Sequence, residues 1–259
     1  MDLKSLVFFD LDGTLLNDKA QINDNLYDVI HQLKRNGHEP ILSSGRSIEL
    51  AKVGLTKTGI SSYVLLNGQL IKFRDKEVCG DKIYTETIER LITFCKNNQL
   101  ELAYYCKDDF RTTSDNTLVN KAYLYFGIIP PKVDKSYYKR HNILMMLIFS
   151  NRIELDEKLV EQFPDLSFYR TSPYSLDIIP KNASKAEGIR RLIKENSLEH
   201  LTTYAFGDEI NDLEMMEMVD YSIAMGNAID IIKEKANYIV DDNNNDGIIQ
   251  GLSKLNLIE

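Results

Sequence analysis

Residues Leu6-Val7-Phe8-Phe9 form an unbroken apolar run that stops at Asp10. A strand with one wet face alternates in polarity. A run apolar at every position needs cover on both faces, the habit of a central strand in a parallel sheet flanked by helices. The next sixty or so residues, to Gly68, keep that pattern going. Leu26, Val29, Ile30 and Leu33 stand at i, i+3, i+4 and i+7, predicting a helix that Gly37 ends. Then come a strand at Pro40-Ile41-Leu42, a turn at Ser43-Ser44-Gly45-Arg46 and a short helix from Ser47. A third strand, Tyr63-Val64-Leu65-Leu66, closes at the hairpin-type turn Asn67-Gly68. Strand, helix, strand, helix, strand is the order of a doubly wound α/β sheet.

The middle of the chain breaks this order. A helix carrying Ile88, Leu91, Ile92 and Cys95 is followed by short strands near 101–105 and 111–113. A further strand at 144–149, a helix near 155–163 and strands at 167–170 and 175–179 complete an α+β module. After Pro180 the alternation resumes, with strands at 203–206, 222–225 and 238–240 between helices from Lys185, Asn211, Ile229 and Asp246. The expected organisation is a discontinuous core, 1–83 and 181–259, interrupted by an α+β insert at 84–180.

Charge divides along the same boundary. The chain of 259 residues carries 31 Lys or Arg against 39 Asp or Glu, a net charge of −8. The insert holds 12 against 13, leaving 19 against 26 for the core. An acidic surface argues against nucleic-acid and anionic-membrane partners, which carry phosphate of the same sign. A small phosphorylated ligand remains admissible, because a bound divalent cation reverses the sign locally. The three cysteines, Cys79, Cys95 and Cys106, make no CxxC pair, so free thiols are expected rather than a disulfide framework or zinc site. The opening Met1-Asp2-Leu3-Lys4 leads straight into an apolar run too short for a signal peptide, and no stretch approaches the roughly 20 apolar residues of a membrane span. A cytoplasmic location is the expectation.

In an open α/β sheet, functional groups collect beyond the carboxyl ends of the strands, and four segments fall there. The first is Asp10-Leu11-Asp12-Gly13-Thr14. Its two carboxylates could both ligate a metal, or one could serve as nucleophile while the other handles protons. Gly13 permits a tight turn and Thr14 is expected to bond the backbone there; a plain Asp-Gly turn is the alternative. The second is Ser43-Ser44-Gly45-Arg46, whose hydroxyls and N–H groups could hold phosphate oxygens or simply cap a helix. The third is Lys185, at a helix start where the dipole disfavours a cation; a phosphate or aspartate partner, or solvation, would account for it. The fourth is Gly207-Asp208-Glu209-Ile210-Asn211-Asp212. Capping explains one or two of its acids, and its hard oxygen donors suit Mg²⁺.

Asp10-Leu11-Asp12-Gly13-Thr14, Ser44-Gly45-Arg46, Lys185 and Gly207-Asp208-Glu209-Ile210-Asn211-Asp212, in that order, resemble the motifs of the haloacid dehalogenase (HAD) superfamily of phosphohydrolases. Asn67-Gly68 and Asp246-Gly247 are similar to habits of its Cof-type branch, which carries a large α/β cap. Two details depart from the pattern: Ser44 replaces the usual Thr while keeping the hydroxyl, and Asn182-Ala183-Ser184 replaces a stretch that usually carries Gly and Val. The resemblance implies a Rossmann-like doubly wound parallel-sheet core with an inserted cap that selects the substrate. It implies Asp10 as nucleophile and Asp12 as general acid and base. Mg²⁺ would be held by the Asp10 carboxylate, the Asp12 backbone carbonyl and Asp208, with Asp212 in support. Ser44, Gly45, Lys185 and Asn211 would hold the phosphoryl oxygens. An acid at position 12 points to a phosphatase over a dehalogenase, since a halide leaves without a proton. The implied substrate is a small phosphorylated metabolite, a sugar phosphate or cofactor phosphate. A phosphomutase, or a non-catalytic phosphometabolite sensor on the same scaffold, is the alternative.

In the insert, Arg111, Tyr174 and the basic run Lys132, Lys135, Lys139 and Arg140 are candidate leaving-group contacts, with a solvated loop the simpler account of the run. Met145-Met146 is expected to be core packing, and the four histidines lack ligand spacing.

Overall fold

The computed structural model describes residues 3–259; Met1 and Asp2, with which the sequence-read core begins, lie outside the described residues. The chain runs β1 (Ser5–Phe9), α1 (Leu26–Arg35), β2 (His38–Ser43), α2 (Ile48–Thr58), β3 (Ser62–Leu65), β4 (Leu70–Phe73) and β5 (Lys76–Cys79). There follow α3 (Thr85–Asn97), β6 (Glu101–Tyr105), β7 (Phe110–Thr112), α4 (Thr117–Tyr125), β8 (Met145–Phe149), α5 (Asp156–Gln162), β9 (Leu166–Ser172) and β10 (Ser175–Pro180). The last stretch holds α6 (Lys185–Glu195), β11 (Thr202–Gly207), α7 (Leu213–Met218), β12 (Tyr221–Ala224), α8 (Asp230–Lys235), β13 (Tyr238–Ile239) and α9 (Gly247–Lys254).

Two units result. Among the described residues, the first comprises 3–46, 51–78 and 184–259; the second comprises 47–50 and 79–183. The first is an eight-stranded sheet in the order β13-β12-β11-β1-β2-β3-β4-β5. β1 sits near the middle, parallel to β2 on one side and β11 on the other, and all five of its residues are buried. The all-apolar run therefore has the two-sided cover that its composition demands. Leu6, Phe8, Ile41, Val64 and Ala205 pack with Ile189 and Leu192 of α6, Met215 and Met216 of α7 and Ile232 of α8. Register fixes where the strands stop. Phe9 lies opposite Leu42 and Phe206, so Asp10, Ser43 and Gly207 stand at one level at the carboxyl edge of the sheet.

The sheet is longer than the sequence pattern predicts. The Asn67-Gly68 turn leads into β4, which pairs antiparallel with β3, and β5 extends that edge. The parallel core is therefore a mixed sheet. The turn itself is tightly wound: Leu66, Asn67 and Gly68 all take left-handed φ values of 52°, 50° and 94°. For a residue such as Leu66 this costs about 1–2 kcal/mol. Gly188 of α6 lies against the turn, and a Cβ there would come within 2.6 Å of both the Gly68 Cα and a Val64 methyl. Alanine normally improves a helix, but here the neighbour is backbone and cannot yield. Gly188→Ala is expected to destabilise the protein by about 1–3 kcal/mol, read as a lower urea midpoint; an unchanged or higher midpoint would show that the turn can move.

The second unit is a five-stranded antiparallel sheet, order β7-β6-β8-β10-β9. Leu102, Tyr104, Met146, Ile148, Leu176 and Ile178 alternate along it and pack with Ile88 and Leu91 of α3 and Leu159 of α5. Alternation also puts Tyr105 and Phe149 on the opposite face, where the Phe149 ring packs on Tyr123 of α4 and the Tyr105 and Tyr123 hydroxyls share a hydrogen bond. Met145 and Met146 are both buried. The α4 helix is absent from the sequence reading.

Candidate active site

Asp10 follows β1, and its N–H donates to the Phe206 carbonyl of β11 at 3.0 Å. The carboxylate is buried and accepts a hydrogen bond from Lys185 Nζ at 2.5 Å. The same ammonium donates to Asp212 Oδ1 at 2.6 Å. Lys185 heads α6, capped by Ser184, whose hydroxyl accepts from the Glu187 N–H. The unusual Asn182-Ala183-Ser184 stretch thus ends in an ordinary N-cap. Lys185 is 1% exposed, so two aspartates, and not solvent, hold it against the helix dipole.

Asp212 is fully buried, and both of its carboxylate oxygens accept hydrogen bonds from the protein. Oδ1 takes Lys185, and Oδ2 accepts from the Asp208 and Glu209 N–H groups at 3.0 and 3.2 Å. These bonds fold the acidic segment into a single 3₁₀ turn and aim Asp208 inward. Thr14, expected to bond backbone, instead donates its hydroxyl to Asp208 Oδ1 at 2.9 Å. Gly13 explains the approach: a Cβ there would fall 2.1 Å from Asp208 Oδ2.

Asp10, Asp208 and Asp212 each offer a carboxylate oxygen within 4.8 Å of the others. Three acids against one ammonium leave a surplus of negative charge in a buried space. Burial, opposed by Lys185 and reinforced by Asp212 and Asp12, pushes the Asp10 carboxyl up to about 8. Burial and the neighbouring Asp10 push Asp208 up to about 9. Burial alone would lower the Lys185 ammonium, but Asp10 and Asp212 outweigh it and hold it above its usual value. Such a set wants either protons or a divalent cation. Its ligands are hard oxygens, so the chemistry fits Mg²⁺.

Asp12 stands apart from this cluster. Its carboxylate is gripped bidentately by Arg46, with Nε at 2.8 Å and a terminal nitrogen at 2.6 Å. Ser44 is buried, and its hydroxyl accepts from the Arg46 N–H at 3.1 Å. Gly45 lies between them in the same loop. Asn211 donates its amide to the Asn67 side-chain oxygen at 3.3 Å. Of the residues named from sequence, the structure gathers Asp10, Lys185, Asp208 and Asp212 into one cluster and ties Asn211 to Asn67.

Sequence reasoning passed over Asn227. Its amide donates to the Gly13 carbonyl at 2.8 Å and to Asp208 Oδ2 at 3.3 Å, and its own oxygen accepts from the Asn243 N–H. Asn243 in turn donates to the Leu16 carbonyl at 2.9 Å. Asn227 follows β12 by three residues, so the strand-end rule, applied to that strand, finds it. In the second unit, Arg111 is paired to Asp109 and lies over the Tyr137 ring, while Tyr174 meets Tyr125 edge-on. Lys132, Lys135, Lys139 and Arg140 are exposed, and Arg140 pairs with Asp134. The cysteines are free, and no helix among the described residues is long and apolar enough to cross a membrane.

Acids and a lysine meeting at the carboxyl edge of a doubly wound sheet suit an enzyme that handles phosphate, where anions must be drawn together and held. A family model described as haloacid dehalogenase-like hydrolase matches residues 7–252, and the chain belongs to that family. It is 32% identical over 260 residues to "Putative phosphatase YkrA" of Bacillus subtilis (strain 168), with 100% of both chains covered. It is 25% identical over 259 residues to the same organism's 5-amino-6-(5-phospho-D-ribitylamino)uracil phosphatase YcsE, covering 97% of this chain and 95% of that one. The solved structure of a subclass IIB sugar phosphatase, BT4131, shares the fold, with a TM-score of 0.89 at 21% identity and coverage of 98% and 100%. The protein is a phosphatase of this family.

Proposed function

We propose that the protein is a Mg²⁺-dependent phosphohydrolase that releases phosphate from a small phosphorylated metabolite through an aspartyl-phosphate intermediate. The observation that carries this reading is the Asp10 carboxylate, buried beside Lys185 and within reach of Asp208 and Asp212. Asp10 attacks phosphorus in line with the ester oxygen; the P–O bond to the alcohol breaks as the new acyl-phosphate bond forms. Asp12 gives its proton to the departing oxygen, then takes one from the water that cleaves the intermediate, so one alcohol and one phosphate leave per water consumed. To do so, Asp12 must turn from the Arg46 fork that holds it.

Two like charges about 4 Å apart repel by about 4 kcal/mol at an effective dielectric of about 20. Mg²⁺ bound by the Asp10 carboxylate, the Asp12 carbonyl and Asp208 would supply the charge that offsets this repulsion. Asp212 orients Lys185 and the Asp208 backbone around it. Lys185, the Ser44 hydroxyl, the Gly45 N–H and the Asn211 amide hold the phosphoryl oxygens as charge shifts across them. The second unit is assigned the choice of leaving group. The names of relatives that act on a phosphorylated ribitylaminouracil and on sugar phosphates support a sugar-phosphate or cofactor-phosphate substrate.

A panel of phosphate monoesters assayed with Mg²⁺ and with EDTA tests this. Phosphate release should fall at least about 100-fold in EDTA and return with Mg²⁺. No turnover of any ester in Mg²⁺ would favour the sensor reading. A pH effect accompanies the metal. Asp10 and Asp208 hold protons in the folded metal-free protein up to about 8 and 9, whereas unfolded carboxyls lose them near 4. Between those values the folded state binds more protons, so metal-free stability falls as pH rises. Mg²⁺ should therefore raise the melting temperature more at pH 8 than at pH 5.5; an equal rise at both would contradict the carboxylate cluster as its site.

A further inference from the structure

Asn67 belongs neither to the metal set nor to the phosphoryl-binding set, yet it is bonded to two parts of the latter. Its side chain is 1% exposed, and its Oδ1 accepts from Asn211 Nδ2 at 3.3 Å. Its backbone N–H donates to the Ser44 carbonyl at 3.3 Å, and the preceding Leu66 N–H donates to the Arg46 carbonyl at 3.1 Å. Two consecutive turn residues thus bracket the Ser44–Arg46 loop from both ends. Both are left-handed, Leu66 with a fully buried side chain. A bulky residue persists in that conformation only where the surroundings over-determine it, and such sites cluster where geometry matters to function. The far side of the turn is equally constrained: a Cβ on Gly68 would meet the Ser184 carbonyl, one residue before Lys185, at 2.1 Å.

We propose that Asn67 is a positioning residue for phosphoryl binding. Its turn sets the place of the Ser44–Arg46 loop, and its amide oxygen takes one of the two Asn211 N–H bonds, turning the other toward the phosphoryl site. This rests on the reading above in which Ser44 and Asn211 hold phosphoryl oxygens. The competing account makes Asn67 only a residue that tolerates a left-handed φ, as asparagine does. Glycine separates the two. Asn67→Gly accepts the same backbone and keeps its N–H bond to Ser44, but removes the amide that orients Asn211.

The test compares wild type, Asn67→Gly, Asn211→Ala and the double variant, with p-nitrophenyl phosphate as substrate, inorganic phosphate as inhibitor and Mg²⁺ present. Asn67→Gly should raise both KM and the phosphate inhibition constant about tenfold, on the scale of a hydrogen bond lost from a charged ligand. Its melting temperature should stay close to wild type. Because Asn67 acts through Asn211, the double variant should be no weaker than Asn211→Ala alone. Wild-type KM and inhibition constant in Asn67→Gly, or a double variant that loses the product of the two single factors, overturns the positioning role alone. An Asn211→Ala variant that binds phosphate as wild type does, or a wild type without turnover, overturns the phosphoryl-binding reading and this inference with it.

Discussion

Asp10→Asn is expected to release phosphate at least about 10⁴-fold more slowly than wild type while melting at the same temperature or higher. The amide has the shape of the carboxylate but neither its charge nor its nucleophilicity, so the covalent step is lost. Stability should not suffer, because the cluster carries more acid than Lys185 can neutralise. Lys185 keeps Asp212 as its ion-pair partner, and the new amide oxygen can accept the bond that Asp10 accepted. Steady-state phosphate release and a metal-free thermal melt read the two halves separately. Full activity in this variant would remove Asp10 from the nucleophile's role. A lost fold would mean that the Asp10–Lys185 pair contributes more to stability than the surplus of carboxylates costs.

Lys185→Met reverses the balance and should be the most destabilising single change at the site. It leaves Asp10 and Asp212 buried with no cation beside them, and breaking a buried pair from one side costs about 3–5 kcal/mol. Methionine fills similar volume, so little of the loss would come from packing. Chemical denaturation with EDTA should show the whole loss, and Mg²⁺ should restore more stability to the variant than it adds to wild type. The loss should also shrink at pH 5, where protons can take the place of the missing ammonium. Wild-type stability at pH 8 without metal would show that the acids are neutral there for another reason. Activity should fall in every condition, since on the proposed mechanism Lys185 also holds the phosphoryl group.

The doubly wound core was legible because its strongest signal is local. Leu6-Val7-Phe8-Phe9 announces a central strand, and its abrupt end at Asp10 marks the chemical edge. Asp208 and Lys185 were found for the same reason, each at the junction of an apolar strand or helix with a polar turn. The bonds that make these residues a site are not local. Arg46 reaches Asp12 across 34 positions, Asn211 reaches Asn67 across 144 and Thr14 reaches Asp208 across 194. Those contacts follow from strand register, which one chain does not reveal. Thr14 shows the consequence: its hydroxyl was expected to satisfy nearby backbone, and it serves a carboxylate from the far end of the chain. β4 and β5 are only four residues each, and half of β5 is charged. Thr117–Tyr125 mixes Thr, Val and Tyr, which favour strands, into what folds as a helix.

The parallel pairing of Ser5 with Thr202 has a temporal side. One of the two neighbours of β1, β11, leaves the ribosome nearly 200 residues after it. At about 5–20 residues per second, the hydrogen-bonding edge that β11 will cover stays open for about ten seconds or more. During that interval a fully buried central strand presents an unpaired edge, a template for mispairing. The second unit, whose sheet is contiguous in sequence, can fold within the same interval. The acidic turn carrying Asp208 and Asp212 follows directly on β11, so the arrival of the missing strand and the completion of the carboxylate cluster are one event. A nascent chain cut off before β11 should therefore be aggregation-prone as well as inactive, and both defects trace to the same missing strand.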